Sequence, residues 1–394
     1  MNKRPFSTTR MSRRSGSLLP GIAIALVVCG GCLALVLNEY WLSAAQEELR
    51  TAAQSAALAG ARELASDERL KPAFDSRQNA DYARTVAENQ ANANQVLGPH
   101  RAQLDVHLAR VEYDPETGRK IREENPEDPT SMLVVAHRDR TGGNPVSMLA
   151  PALAGRAVAD VTVNVEASVT NLIRGVRPVG PADVPAWPVA VLELSADPRI
   201  PSWGIDIEQH QGSDQYRWDE QTRQVVPEAD GLPEMKLAIG STGNMVLIDV
   251  GTGLEPDGLL EQFRDGWSAE NLAPLGGMFS LQEGPFPLEA QSQMDSEIGE
   301  SFARQIGRAR ILALYSPLPV SEKSAGSQQT KSSQVQIVRL VAARLMAVQG
   351  TGTATQYIIQ PSVVATRCAL LDEDALYQPQ AQGNPYIYRI SLTQ

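Results

Sequence analysis

The sequence predicts an α+β protein: a single N-terminal transmembrane helix continuing into a periplasmic helix, followed by a mostly β exterior domain. Three observations predict it. Residues 18–37 read LLPGIAIALVVCGGCLALVL, a run without a charge. Residues 39–66 are rich in Ala, Glu, Leu, Gln and Arg and contain no proline, a strongly helix-forming mixture. From His100 onward, short alternating segments rich in β-branched residues are separated by turns rich in Pro, Gly, Asp and Asn.

The apolar run comes first. Twenty helical residues span roughly 30 Å, the thickness of a bilayer core. Lys3, Arg4, Arg10, Arg13 and Arg14 precede the run, and Glu39, Glu47 and Glu48 follow it. That asymmetry places the N-terminus in the cytoplasm and the bulk of the chain outside. A cleaved signal peptide would have a shorter apolar core and a small-residue cleavage site. A lipoprotein cysteine would have Leu and small residues just upstream of Cys29 or Cys32. A prepilin cut after Gly16 would have Glu where Gly21 stands.

The helix beyond the membrane carries a seam. Tyr40 and Trp41 occupy the place of an interfacial aromatic anchor. Leu42, Ala45, Leu49, Ala52, Ala56 and Ala59 recur at steps of three and four, like the core positions of a coiled coil. Within the apolar run Gly21, Ala25 and Cys29 form a small-residue stripe suited to close helix packing and to self-association. Such a seam packs either on another membrane helix or on this protein's own domain. A second helix is expected over 77–97, stopped by Gly98-Pro99.

The organisation is therefore a basic cytoplasmic tail (1–17), a transmembrane helix (18–37), extracytoplasmic helices (38–98) and a β-rich exterior domain (99–394). Strands are expected over 104–113, 131–139, 159–168, 189–195, 245–251, 310–315, 335–348 and 355–365, with one helix over 294–307. The polar stretch 321–333 reads as a long mobile loop between neighbouring strands.

Net charge is −11 although the first 38 residues carry five bases and no acid, so the remainder is strongly acidic. An acidic body excludes nucleic acid as a partner. Three cysteines make no disulfide framework, and Cys368 reads as a small buried hydrophobe. His100, His107, His137 and His210 show no metal spacing, and no nucleophile elbow or Walker loop is present. VLIDVGTG (246–253) imitates a phosphate loop of actin-like ATPases, but its companion motifs are missing, and Asp249 reads as a turn cap. Asp230-Gly231 with Glu234 supplies part of a calcium loop, and an ordinary turn uses the same residues. No enzyme activity and no cofactor is expected.

The N-terminal block, with AAQSAALAGA (52–61) as its carrying motif, resembles the corresponding segment of TadG-like proteins of the Tad (Flp) pilus-assembly system. Asn38, Arg50 and Gln54 stand where that pattern has an acid, Gln and Asp. Later segments at 174–191, 230–251, 306–317 and 358–364 look like the exterior part of some members, in the same order. The resemblance implies a bacterial inner-membrane component of a pilus-assembly or secretion apparatus, non-enzymatic, with a role in cell adhesion. Its expected partners are the lipid bilayer and small Tad membrane proteins (pseudopilins). Docking is expected through Gly21, Ala25, Leu42, Ala45, Leu49, Ala52, Ala56 and Ala59. A membrane-anchored extracytoplasmic binding or sensing module is the alternative.

Overall fold

The structure, a computed structural model, describes residues 19–93 and 103–393 except 115, 116, 118, 125, 241, 318–332, 351, 379 and 380. Helix (32 %) and strand (35 %) have nearly equal shares, with a long apolar helix at the N-terminal end and a β-rich C-terminal region, so the fold is α+β. The basic tail, the stop at Gly98-Pro99 and the expected loop, apart from Ser333, lie outside the described residues. The chain divides into two compact units. Described residues of the first are 19–52, 103 and 136–163; the remainder form the second.

In the first unit the main element is the start of α1 (Leu19–Leu64), one uninterrupted helix through the apolar run and the alanine-rich segment. A small hairpin accompanies it. Its strands β4 (Val146–Ser147) and β5 (Val158–Ala159) pair antiparallel, Val146 with Ala159. Between them lies the single-turn helix α3 (Pro151–Ala154), started by proline at its first position and ended by Gly155 in the left-handed region (φ 68°).

In the second unit α1 ends and a 3-10 turn (Asp67–Leu70) leads into α2 (Ser76–Ala93). Each helix buries its small residues: Ala53, Ala56, Ala57, Gly60 and Ala61 on α1, and Ala80, Ala83, Ala87 and Ala91 on α2. The two backbones come close at Gly60, where an added Cβ would lie 3.0 Å from the Ala83 carbonyl oxygen. Asn79 of α2 locks the pair by donating its amide to the Glu63 carbonyl (3.2 Å).

Six strands form one sheet: β1 (Gln103–Tyr113), β2 (Lys120–Glu124), β3 (Ser131–Arg138), β6 (Val161–Thr170), β18 (Val364–Ala365) and β20 (Ile387–Thr393). Their order is β18-β20-β6-β3-β1-β2. The edge strand β2, KIREE, is charged and largely exposed, which discourages edge-to-edge pairing. A three-stranded sheet orders β13 (Phe279–Ser280), β7 (Ile173–Val176) and β19 (Ala369–Leu371), and β9 (Arg217–Asp219) pairs with β10 (Gln224–Val226).

The larger sheet contains β8 (Ala186–Leu192), β11 (Met235–Leu237), β12 (Met245–Ile248), β14 (Phe286–Gln291), β15 (Ala309–Pro317), β16 (Ser333–Gln349) and β17 (Gln356–Pro361), ordered β11-β17-β16-β14-β12-β8-β15. Because β15 also pairs with β16, strands β16, β14, β12, β8 and β15 close into a ring. A ring of five strands cannot be antiparallel throughout, and the odd pair is β8 with β15, which run parallel. The two strands expected to flank the polar loop, β15 and β16, pair antiparallel from Ala309↔Arg344 to Pro317↔Val335.

Strand β8 begins at Ala186 rather than 189, so it contains Pro188. The proline is accommodated where the register of β8 against β15 shifts, between the Ile311↔Ala186 and Ala313↔Ala190 pairs. All seven residues of β8 are buried. Helices α4 (Pro256–Asp265), α5 (Ala269–Leu272) and α6 (Ser296–Ala303) belong to the same core. Phe302 of α6 meets Trp187 of β8 edge-on (centroids 5.0 Å) and Phe263 of α4 (5.1 Å).

Candidate membrane-proximal site

No residue from Leu19 to Leu37 is buried, and Leu19 and Val27 are about three-quarters exposed (77 % and 75 %). Monomeric soluble proteins rarely expose so large a contiguous apolar surface, and such a surface marks a contact with a membrane or another protein. This is the one helix among the described residues long and apolar enough, by length and composition, to cross a membrane.

The exposed run ends abruptly at Asn38, which is 1 % exposed. Its side chain pairs with the backbone of Ala150 in the hairpin. Nδ2 donates to the Ala150 carbonyl (3.3 Å), and the Ala150 N–H donates to Oδ1 (3.0 Å). One helical turn on, Trp41 Nε1 donates to the Ser147 carbonyl (3.0 Å). A primary amide offers a donor and an acceptor side by side, which matches the N–H and carbonyl that Ala150 presents; an ionised carboxylate in its place would have no donor.

The eight residues singled out for docking separate into two groups. Gly21 and Ala25 are exposed, and nothing lies within 4 Å of a Cβ built on Gly21. Ala45, Leu49, Ala52 and Ala56 are buried within this chain, at 1 % exposure or less. Leu42 and Ala59 are half-buried. Between the two readings the spacing left open, the upper seam is occupied by the protein itself, and the accessible small residues are those of the apolar run.

Other polar clusters serve the fold. Asp249 accepts from the N–H groups of Gly251 (2.7 Å) and Gly253 (2.8 Å), the turn-capping role its sequence context suggested. Around the candidate calcium loop, Asp214 accepts from the Asp230 and Gly231 N–H groups. Asp230 accepts from Leu232 N and Gln360 Nε2. Glu234 accepts from Gln215 N (2.9 Å), Tyr216 N (2.5 Å) and Ser213 Oγ (3.1 Å). These are the bonds of a capped turn. Burial raises the carboxyl pKa of Glu234 and that of Asp230, against the opposing pull of these donors. Among the described residues no group of three or more His, Cys, Asp or Glu is placed to hold a metal ion.

On β6, burial would raise the Glu166 carboxyl pKa. The Lys120 ammonium (2.8 Å), the Ser131 hydroxyl and the charge of Arg122 outweigh it and leave the value below the usual glutamate range. Cys368 is 1 % exposed, its thiol toward the Asp183 carbonyl (3.5 Å).

Sequence reasoning identified the apolar run and Asp249 but missed the Asn38 clasp. Its only signal was a lone amide closing an apolar helix; its partner lies 112 positions away. Comparison of the chain with protein-family models, with curated proteins and with solved structures gives no match.

Proposed function

We propose that this chain is a non-enzymatic, membrane-anchored component of a Tad/Flp-type pilus assembly or secretion apparatus in the bacterial inner membrane. Its N-terminus lies in the cytoplasm and its β-rich region in the periplasm. The observation that carries the anchor is the apolar run of α1, in which no described residue is buried, ended by a buried polar residue at Asn38. The five preceding bases support the orientation. The likeness of residues 52–61 to the TadG-like pattern supports the apparatus. Docking to pseudopilins, or to a second copy, then uses the accessible stripe at Gly21 and Ala25.

Two measurements test this reading. In intact spheroplasts, a thiol reagent that cannot cross membranes should label Thr222→Cys and spare Ser12→Cys; the reverse pattern overturns the topology. Crosslinking in native membranes should capture small Tad membrane proteins, and Gly21→Leu with Ala25→Leu should abolish that capture while the periplasmic region stays folded. Undiminished capture by the double variant overturns the docking surface.

A further inference from the structure

We infer that the hairpin tip around α3 is a second membrane contact, a short apolar wedge seated in the periplasmic lipid interface beside the end of the transmembrane helix. Three independent observations converge on it.

The first is composition. Residues 148–155 read MLAPALAG, and the stretch 141–159 contains no acid although the chain holds 46. Its one ionisable residue is Arg156, exposed and of the sign that anionic headgroups attract. The second is exposure. Leu149 is 56 % and Leu153 52 % exposed, and Pro151 and Ala152 between them are also exposed. A four-residue helix that buries nothing in its own protein has no folding reason to be apolar.

The third is position. Ala150 is hydrogen-bonded to Asn38, the first residue after the apolar run, and Ser147 to Trp41. At no more than about 3.6 Å per residue, Leu149 and Leu153 lie within roughly 11 Å of Ala150 along the backbone. The two headgroup regions of a bilayer together add about 10–15 Å to its core. The tip therefore sits at the depth where amphipathic segments rest, apolar side chains in the acyl boundary and Arg156 at the headgroups. Wherever the α1 run crosses the bilayer, the clasp forces the tip to meet the same leaflet. The occupant of this apolar surface is lipid, the surroundings proposed for the α1 run whose end the clasp holds beside it.

This inference rests on the proposed membrane reading, and one experiment separates their failures. The full chain, with Cys29→Ser, Cys32→Ser and Cys368→Ala, is placed in phosphatidylcholine–phosphatidylglycerol vesicles. A polarity-sensitive NBD label is carried in turn at Leu153→Cys, Val27→Cys and Thr222→Cys. The label at 153 should show blue-shifted emission relative to 222. It should be quenched more by nitroxide near the lipid headgroup than by nitroxide deep in the acyl chain. At 27 the order of the two quenchers should reverse. Emission at 153 matching that at 222, with 27 still quenched by deep nitroxide, overturns the wedge and leaves the anchor standing. Loss of lipid quenching at 27 as well overturns both.

Discussion

Asp67 Oδ2 lies 3.0 Å from Nη2 of Arg344, joining the turn after α1 to the longest strand of the ring. The same carboxylate accepts from Ser362 Oγ (2.9 Å) and Val363 N (2.5 Å). Arg344, 8 % exposed, also donates to the Gly307 carbonyl (2.8 Å), and its guanidinium lies 4.5 Å from the Trp218 ring centroid. Asp67→Ala should leave a buried cation and two donors short of a partner. The expected loss is about 2–4 kcal/mol in urea unfolding. Asp67→Asn, which keeps one acceptor, should lose less. Equal losses in the two variants would mean that charge alone matters here.

Close approach of α1 and α2 depends on Gly60. A Cβ there would meet Met132 Sδ at 2.2 Å and Cε at 2.5 Å, besides the Ala83 carbonyl oxygen. Gly60→Ala gains about 1 kcal/mol of helix propensity and can displace the flexible methionine tip, so its net effect should be small. Gly60→Val should destabilise by about 1–3 kcal/mol. In a double-mutant cycle, Met132→Ala should recover part of that loss; strict additivity would show that the steric partner is the α2 backbone.

Glu234 offers a test in pH. Glu234→Gln keeps an oxygen for Gln215 N and Tyr216 N and lets Ser213 turn from donor to acceptor. It should therefore be nearly neutral at pH 7, whereas Glu234→Ala should cost about 2–4 kcal/mol. The folded-state pKa of Glu234 is raised above its unfolded value. The folded state thus binds the proton more tightly, and this group adds stability as pH falls from the folded value toward the ordinary glutamate range. Glu234→Gln should remove that increment from the pH–stability curve. Glu166 acts oppositely. Its folded pKa is depressed, so its contribution is full above the ordinary glutamate value and is lost as pH falls through the lower folded one.

Asn38→Asp should release the hairpin. The substitution deletes the donor to the Ala150 carbonyl and sets a carboxylate oxygen against it in a buried position. A local loss of about 1–3 kcal/mol is expected. Hydrogen exchange at residues 146–159 should accelerate while the ring strands keep their protection. Unchanged exchange there would show that Trp41 alone holds the hairpin.

Much of the fold was legible where periodicity is local. The alternation in β1, β3 and β6, the charge-free run and the helix-forming alanine segment each report their own conformation. Asp249 was equally readable, because an Asp followed by Gly251 and Gly253 has turn N–H groups beside it whatever the tertiary context. Helix α4 was missed because it spans under three turns; only Pro256 at its start and the Leu259–Phe263 spacing mark it. Strand β8 was placed too late because Pro188 argues against a strand until the register shift that accommodates it is known. The Asn38–Ala150 clasp and the closure of the ring are contacts between distant positions, and no window of sequence contains either.

The parallel pairing of β8 with β15 sets an order of events for the newborn chain. Synthesis delivers Ala186–Leu192 long before Ala309–Pro317, and the crossover between them must be complete before the seam can form. Until then β8 presents one bare, wholly apolar edge, the kind of surface on which unfinished chains stick to one another. Pairing this non-local is slow to form. The protein therefore has its period of greatest vulnerability during its own production. A chain terminated before Ala309 should accumulate as aggregate even though every strand of the six-stranded sheet that precedes β8 is already present.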